Sequence, residues 1–160
     1  MAQFNPTSVN SIRLATVKYD DTVDVIAGFF RTGRQGSIVD NAGAGGVFGT
    51  IDIETGIIDA VGDEYGNNYI NHPDTDIKIL GFSIPNWEEA KQLAKELAMI
   101  VKGNRYAGWD LALTDKGWVM VEGNSRGQFV WQMPRQKGFL EETNQILKRL
   151  GKHPFEKLSM

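Results

Sequence analysis

The sequence predicts an α+β domain, a mostly antiparallel sheet with helices packed on one face. Strand-like runs come in pairs joined by tight-turn residues, the pattern of hairpins. Two amphipathic segments follow strands without alternating with them, so the βαβ repeat of a parallel sheet is missing. The chain has 160 residues, 41% hydrophobic and 23% charged. That is enough apolar material for one core and a single domain over 1–160.

The first pair is SIRLATVKY (11–19) and TVDVIAGFFRTG (22–33). Both are rich in Val, Ile, Phe and Tyr, and Asp20-Asp21 separates them as an antiparallel turn would. DNAGAGGVFG (40–49) reads as a glycine-rich loop. VFGTIDI (47–53) and IIDAVGD (57–63) form a second hairpin across Glu54-Thr55-Gly56, with glycine at the left-handed turn position. EYGNNYINHPDTD (64–76) carries turn chemistry throughout and is expected to be irregular.

IPNWEEAKQLAKELAMIVKG (84–103) has the clearest periodicity. Trp87, Ala90, Leu93, Ala94, Leu97, Ala98 and Val101 recur at helical spacing, Asn86 is placed to cap the start with Glu89 three residues on, and Gly103 stops it. FLEETNQILKRLG (139–151) is a second helix, ended by Gly151 and His153-Pro154.

Composition removes several function classes. The net charge is -3, the pI is near 5.4, and Lys and Arg are scattered singly, so nothing favours nucleic acid or an anionic membrane. With no cysteine there is no disulfide framework and no thiolate zinc site, and the two histidines, His72 and His153, lie far apart. No window approaches a membrane span, and the start MAQFNPTSVN lacks a leader's basic and apolar regions, so a cytoplasmic location is expected.

GWDLALTDKGWVMVEGN (108–124) carries the chemistry. A three-residue loop at Asp115-Lys116-Gly117 sets Thr114 opposite Trp118, and counting back sets Asp110 opposite Glu122. Asn124 then shares the face of Glu122, while Leu111, Leu113, Val119 and Val121 point to the helix-covered face. Two carboxylates about 4 Å apart repel by roughly 1 kcal/mol in water and about 4 at an effective dielectric of 20. Something positive should lie between them. A divalent cation held by two carboxylates and an amide oxygen, beside phosphate, is one reading. Two solvated acids, or a pairing with Arg105 or Lys102, is the other.

An aspartate near the end of one strand followed by Glu-x-Asn on the next resembles the magnesium signature of the ATP-grasp ligases, here Asp110 and Glu122-Gly123-Asn124. Other segments match in family order. Arg13 in VNSIRLATV resembles the first-strand arginine, FFRTG supplies Arg31, and VDNAGAGG resembles the Asn/Gly-Gly loop through Asn41, Gly45 and Gly46. With IPNW and GWDLALTDKG, these segments are most similar to the sugar-transfer-associated ATP-grasp group of bacterial surface-polysaccharide clusters.

The resemblance implies ATP and one or two Mg²⁺ ions as cofactors, held by Asn41, Gly45, Gly46, Asp110, Glu122 and Asn124. It implies Arg13 and Arg31 as catalytic groups that stabilise the transferring phosphoryl group and an acyl-phosphate formed from a small-molecule or sugar-linked carboxylate. It also implies that this is the C-terminal lobe of a longer ATP-dependent ligase, with the adenine-binding lobe elsewhere in the same protein, and that the lobe is inactive alone.

Without the family, the same residues have plainer uses: strand surface charges for the arginines, a tight bend for AGAGG, and a cap for Asn41. Trp87, Trp109, Trp118 and Trp131 could form a sugar-stacking surface, the mark of a non-catalytic carbohydrate- or protein-binding domain, or could simply pack.

Overall fold

The structure, a computed structural model, describes residues 1–34, 36–38, 40, 45–127 and 132–155. Strands β1 (Ser11–Tyr19), β2 (Thr22–Thr32), β3 (Val47–Ile51) and β4 (Ile58–Gly62) precede helix α1 (Trp87–Ile100). Strands β5 (Tyr106–Thr114) and β6 (Gly117–Asn124) and helices α2 (Gln132–Arg135) and α3 (Leu140–Arg149) follow. The six strands form one sheet in the order β4-β3-β2-β1-β5-β6, with every neighbouring pair antiparallel. The expected class therefore holds, and the long central strands β1 and β2 have the expected bounds to within one residue.

Alternation along the strands builds two unlike faces. Ile12 and Leu14 of β1, Phe30 of β2, Val47 and Ile51 of β3, and Trp109 and Leu111 of β5 form the main core with Trp87, Ala90, Ala94 and Ala98 of α1. Alanines at this spacing let the helix lie close to the sheet, across β1, β2, β5 and β6. The expected Asn86 cap is not made. Asn86 stands at the cap position but in the left-handed conformation, φ 51°, and its side chain makes no capping bond. Its carbonyl is instead spent on the Ala90 amide and on the Trp118 indole Nε1.

The second face is also partly covered. Phe139, just before α3, packs on Ala15, Ala27 and Phe29, and Pro134 of α2 lies 3.5 Å from where a side chain on Gly62 would begin. Helix α1 thus occupies the expected face, while α2 and the start of α3 lie against the other. The four-residue α2 has no periodicity for a sequence to display.

The turn between β3 and β4 fixes α1 in place. Gly56 has φ 72°, and a Cβ there would come within 2.5 Å of the Trp87 ring. The Trp87 Nε1 donates to the Ile53 carbonyl at 2.9 Å, which holds that ring beside the turn. Gly56→Ala is expected to cost about 2 to 4 kcal/mol, summing left-handed strain and overpacking. Urea unfolding measures it; a change under about 0.5 kcal/mol, the size of an ordinary surface substitution, contradicts this account.

The 64–76 segment is irregular as expected, and it is organised by two buried polar side chains. Asp63 accepts bonds from the amides of Tyr65 and Asn67, the Asn67 side chain and the Tyr69 hydroxyl. Burial pushes its pKa up, but these bonds outweigh burial and hold it below the usual carboxylate range. His72 faces the Gly33 carbonyl through Nε2 at 3.0 Å and accepts the Asp74 and Thr75 amides at Nδ1. Accepting at Nδ1 leaves Nε2 as the donor. The histidine ties the segment to the end of β2.

Candidate functional site

The β5–β6 hairpin pairs Asp110 with Glu122, as expected, but by a different route. The connection is a two-residue loop, with Thr114 opposite Gly117 and Leu113 opposite Trp118. The register is therefore one residue off the expected count from 117 to 120. A bulge at Val121 then restores it, so that Asp110 meets Glu122 and Gly108 meets Asn124. The side-chain directions change accordingly. Val119 lies opposite Ala112, not Leu113, and Val119 and Val121 are 42% and 60% exposed. Their expected place in the helix-covered core is thus wrong, because the two-residue loop and the bulge turn these side chains away from it. Leu111 is fully buried there, as expected.

Gly123, between Glu122 and Asn124, has a packing reason. A Cβ at this position would sit 2.8 Å from the Trp109 ring on the core side. Glycine lets the indole come up against the edge strand while both polar neighbours face the other way. The Trp109 Nε1 completes this arrangement by donating to Thr16 Oγ1 at 2.9 Å.

Pairing across three strands brings the charges together. Asp110 is opposite Glu122 on one side and Arg13 on the other, and Arg31 is paired with Ser11 one row over. Arg13 binds Asp110 with both prongs of its guanidinium, Nε to Oδ1 and Nη2 to Oδ2, the latter at 2.6 Å. Arg31 Nη2 reaches Asp110 Oδ2 at 3.0 Å. The side chains of Arg13, Arg31 and Asp110 are 14%, 11% and 4% exposed. The hydrogen bond to Asp110 raises the pKa of Arg13 against the opposing effect of burial, and the charges of Asp110 and Glu122 raise it further. The positive group that the opposed carboxylates demand is therefore Arg13, supplied by the neighbouring strand, and not Arg105 or Lys102. Phe29 lies under this guanidinium, 5.7 Å from ring centre to Cζ.

Two residues that the sequence reading passed over belong to the cluster. Ser11 Oγ accepts from Arg31 Nε at 3.2 Å and Nη2 at 2.9 Å, and donates to Asp40 Oδ2. Asp40 also accepts the Ser11 amide at 3.2 Å and lies 3.9 Å from Arg31 Nε. Strand alternation places Ser11 on the face of Arg13, and Asp40 opens the DNAGAGG run. Those were the available signals. Of that run, Asn41 lies outside the described residues, Gly45 has φ 79°, and Gly46 is buried.

A carboxylate offers about four lone-pair sites, and three guanidinium contacts use most of those on Asp110. Glu122 is exposed and Asn124 half-buried, on the edge strand. Glu122 and Asn124 offer oxygens of the kind a hard divalent ion takes and could hold one, whereas Asp110 has only what the arginines leave. Among the described residues no three His, Asp or Glu side chains converge.

The chain matches the family model for sugar-transfer associated ATP-grasp over residues 1–148. It belongs to the sugar-transfer-associated ATP-grasp family. The match spans all six strands, so the ATP-grasp sheet is the one that carries Arg13, Arg31, Asp110 and Glu122. No curated protein matches the chain. Among the described residues of this ATP-grasp domain, no helix is long and apolar enough to cross a membrane.

Proposed function

We propose that the chain is the Mg-ATP-binding C-terminal lobe of an ATP-grasp ligase. It would join a carboxylate to an amine or related nucleophile through an acyl-phosphate, in bacterial surface-polysaccharide biosynthesis. The observation that carries this reading is the placement of Arg13 and Arg31 around Asp110 on one sheet face, with Glu122 across the hairpin. The family match supports the nucleotide part.

Two guanidinium groups, held by a carboxylate, present fixed donors to the oxygens of a phosphoryl group in flight. Being already oriented, they need no reorganisation as charge develops. Glu122, Asn124 and Asp110 would hold Mg²⁺, which when bound neutralises charge on the β- and γ-phosphates. Gly45, Gly46 and Asn41 would line the phosphates. The partner lobe of the same protein would hold adenine. The chemistry requires no covalent intermediate on the chain.

Of the four tryptophans offered for a sugar-stacking surface, Trp131 lies outside the described residues and the other three are engaged elsewhere. Trp87 and Trp109 are in the core, and the Trp118 indole is bound to the Pro85 and Asn86 carbonyls. The test is ligation turnover by the enzyme containing both lobes. Glu122→Gln is expected to lower kcat/KM about 100-fold, in the range for loss of a metal ligand or its support. Wild-type turnover in that variant sinks the proposal.

A further inference from the structure

We propose that Asp40 is a positioning residue: acting through Ser11, it fixes the Arg31 guanidinium beside Asp110 and ties it to the root of the glycine-rich segment. This rests on the reading of Arg31 as a phosphoryl-stabilising group, and it deepens that reading.

The direction of each bond follows from chemistry. A guanidinium has only donors, so Ser11 Oγ accepts from Arg31 Nε and Nη2. Ser11 has one proton, and it goes to the Asp40 carboxylate. An ionised acceptor strengthens that bond and makes the hydroxyl oxygen a better acceptor in turn. Arg31 is thereby held from two sides, by Asp110 at 3.0 Å and by Ser11 at 2.9 Å. Ser11 is 3% exposed, and the Asp40 side chain 12%, so water competes little for these bonds. Asp40 also immediately precedes Asn41 and the glycines that follow. Its second bond, from the Ser11 backbone amide, fastens Asp40 itself to the first residue of β1. A shift of Asp40 would therefore pass through Ser11 to Arg31.

The two bonds to Asp40 allow positioning to be separated from anchoring. Ser11→Ala removes the hydroxyl relay but keeps the amide that anchors Asp40. Ser11→Thr keeps both. In ¹⁵N-edited spectra of the chain, the Arg31 Nε–H is expected to exchange with solvent about tenfold faster in Ser11→Ala and in Asp40→Asn, as loss of a protecting bond requires. Ser11→Thr should restore slow exchange. Wild-type exchange in Ser11→Ala would overturn the proposal and leave Asp40 as an anchor only.

In the two-lobed enzyme, Ser11→Ala should lower kcat about 100-fold, the cost of a misplaced group, with KM for MgATP within about threefold. A change in KM alone would also overturn it. If Glu122→Gln keeps full turnover, the ligase reading falls, and the Arg31 exchange rates still decide the role of Asp40.

Discussion

Asp110→Ala is expected to destabilise the domain by about 3 to 5 kcal/mol, the range for removing one partner of a buried ion pair. The carboxylate lies between two guanidinium groups whose side chains are 14% and 11% exposed. Removing it leaves two cations facing one another with little water to screen them. Arg31 would keep Ser11 and the nearby Asp40, whereas Arg13 would lose its bidentate partner and keep the weaker effect of Glu122 and the face of Phe29. Asp110→Asn should cost less, because the amide oxygen still accepts from one arginine, although its NH₂ group opposes the other donors. Urea midpoints at unchanged m-value measure both. A loss under about 1 kcal/mol in Asp110→Ala would mean that the arginines swing into solvent as exposed pairs do, and that the cluster is not preorganised.

Much of this geometry was legible in the sequence, and the failures are local. The hairpins β1–β2 and β3–β4 were readable because β-branched and aromatic runs are bounded by Asp20-Asp21 and by Thr55-Gly56. The Asp110–Glu122 pair was also reached, although two errors cancelled: a loop one residue too long was offset by an unseen bulge at Val121. Bulges have no reliable composition signal, and side-chain direction is what they alter. Val119 and Val121 consequently reach solvent on the edge strand instead of the core. Asn86 has the right residue type for a cap, yet its own left-handed backbone goes with a side chain that makes no capping bond.

The counter-charge at the site was the least legible part. Arg13 and Arg31 were singled out through the family pattern, whereas their pairing with Asp110 depends on β1 lying between β2 and β5, a long-range fact of topology. Ser11 and Asp40 are common residues whose meaning comes only from that same pairing.

Phe30→Ala is expected to cost about 3 to 5 kcal/mol, because truncating a buried phenylalanine loses transfer energy and opens a cavity. Phe30 is fully buried and packs edge-on to Phe4 at 5.3 Å, and Phe4 in turn meets Phe82 at 5.0 Å. This chain of rings fastens the N-terminal segment and the loop before α1 to the central strand β2. For a domain of this size, about 2 to 4 °C is lost per kcal/mol, so the midpoint should fall by roughly 6 to 20 °C. Phe30→Leu, which keeps most of the volume, should lose about 1.5 kcal/mol or less.

Arg31 is the next residue in β2 and points to the opposite face. Its register is fixed by ladder partners on both sides, Ser11 in β1 and Phe48 in β3. The cavity should therefore weaken the fold while leaving the Arg31 Nε–H as slowly exchanging as in the wild type below the midpoint. Fast exchange in Phe30→Ala would show that the core sets the position of Arg31 as much as Ser11 and Asp110 do. A midpoint within about 2 °C of the wild type, at most about one kcal/mol on the same scale, would show that Phe4 and Phe82 collapse into the space, so that the ring cluster is not rigid.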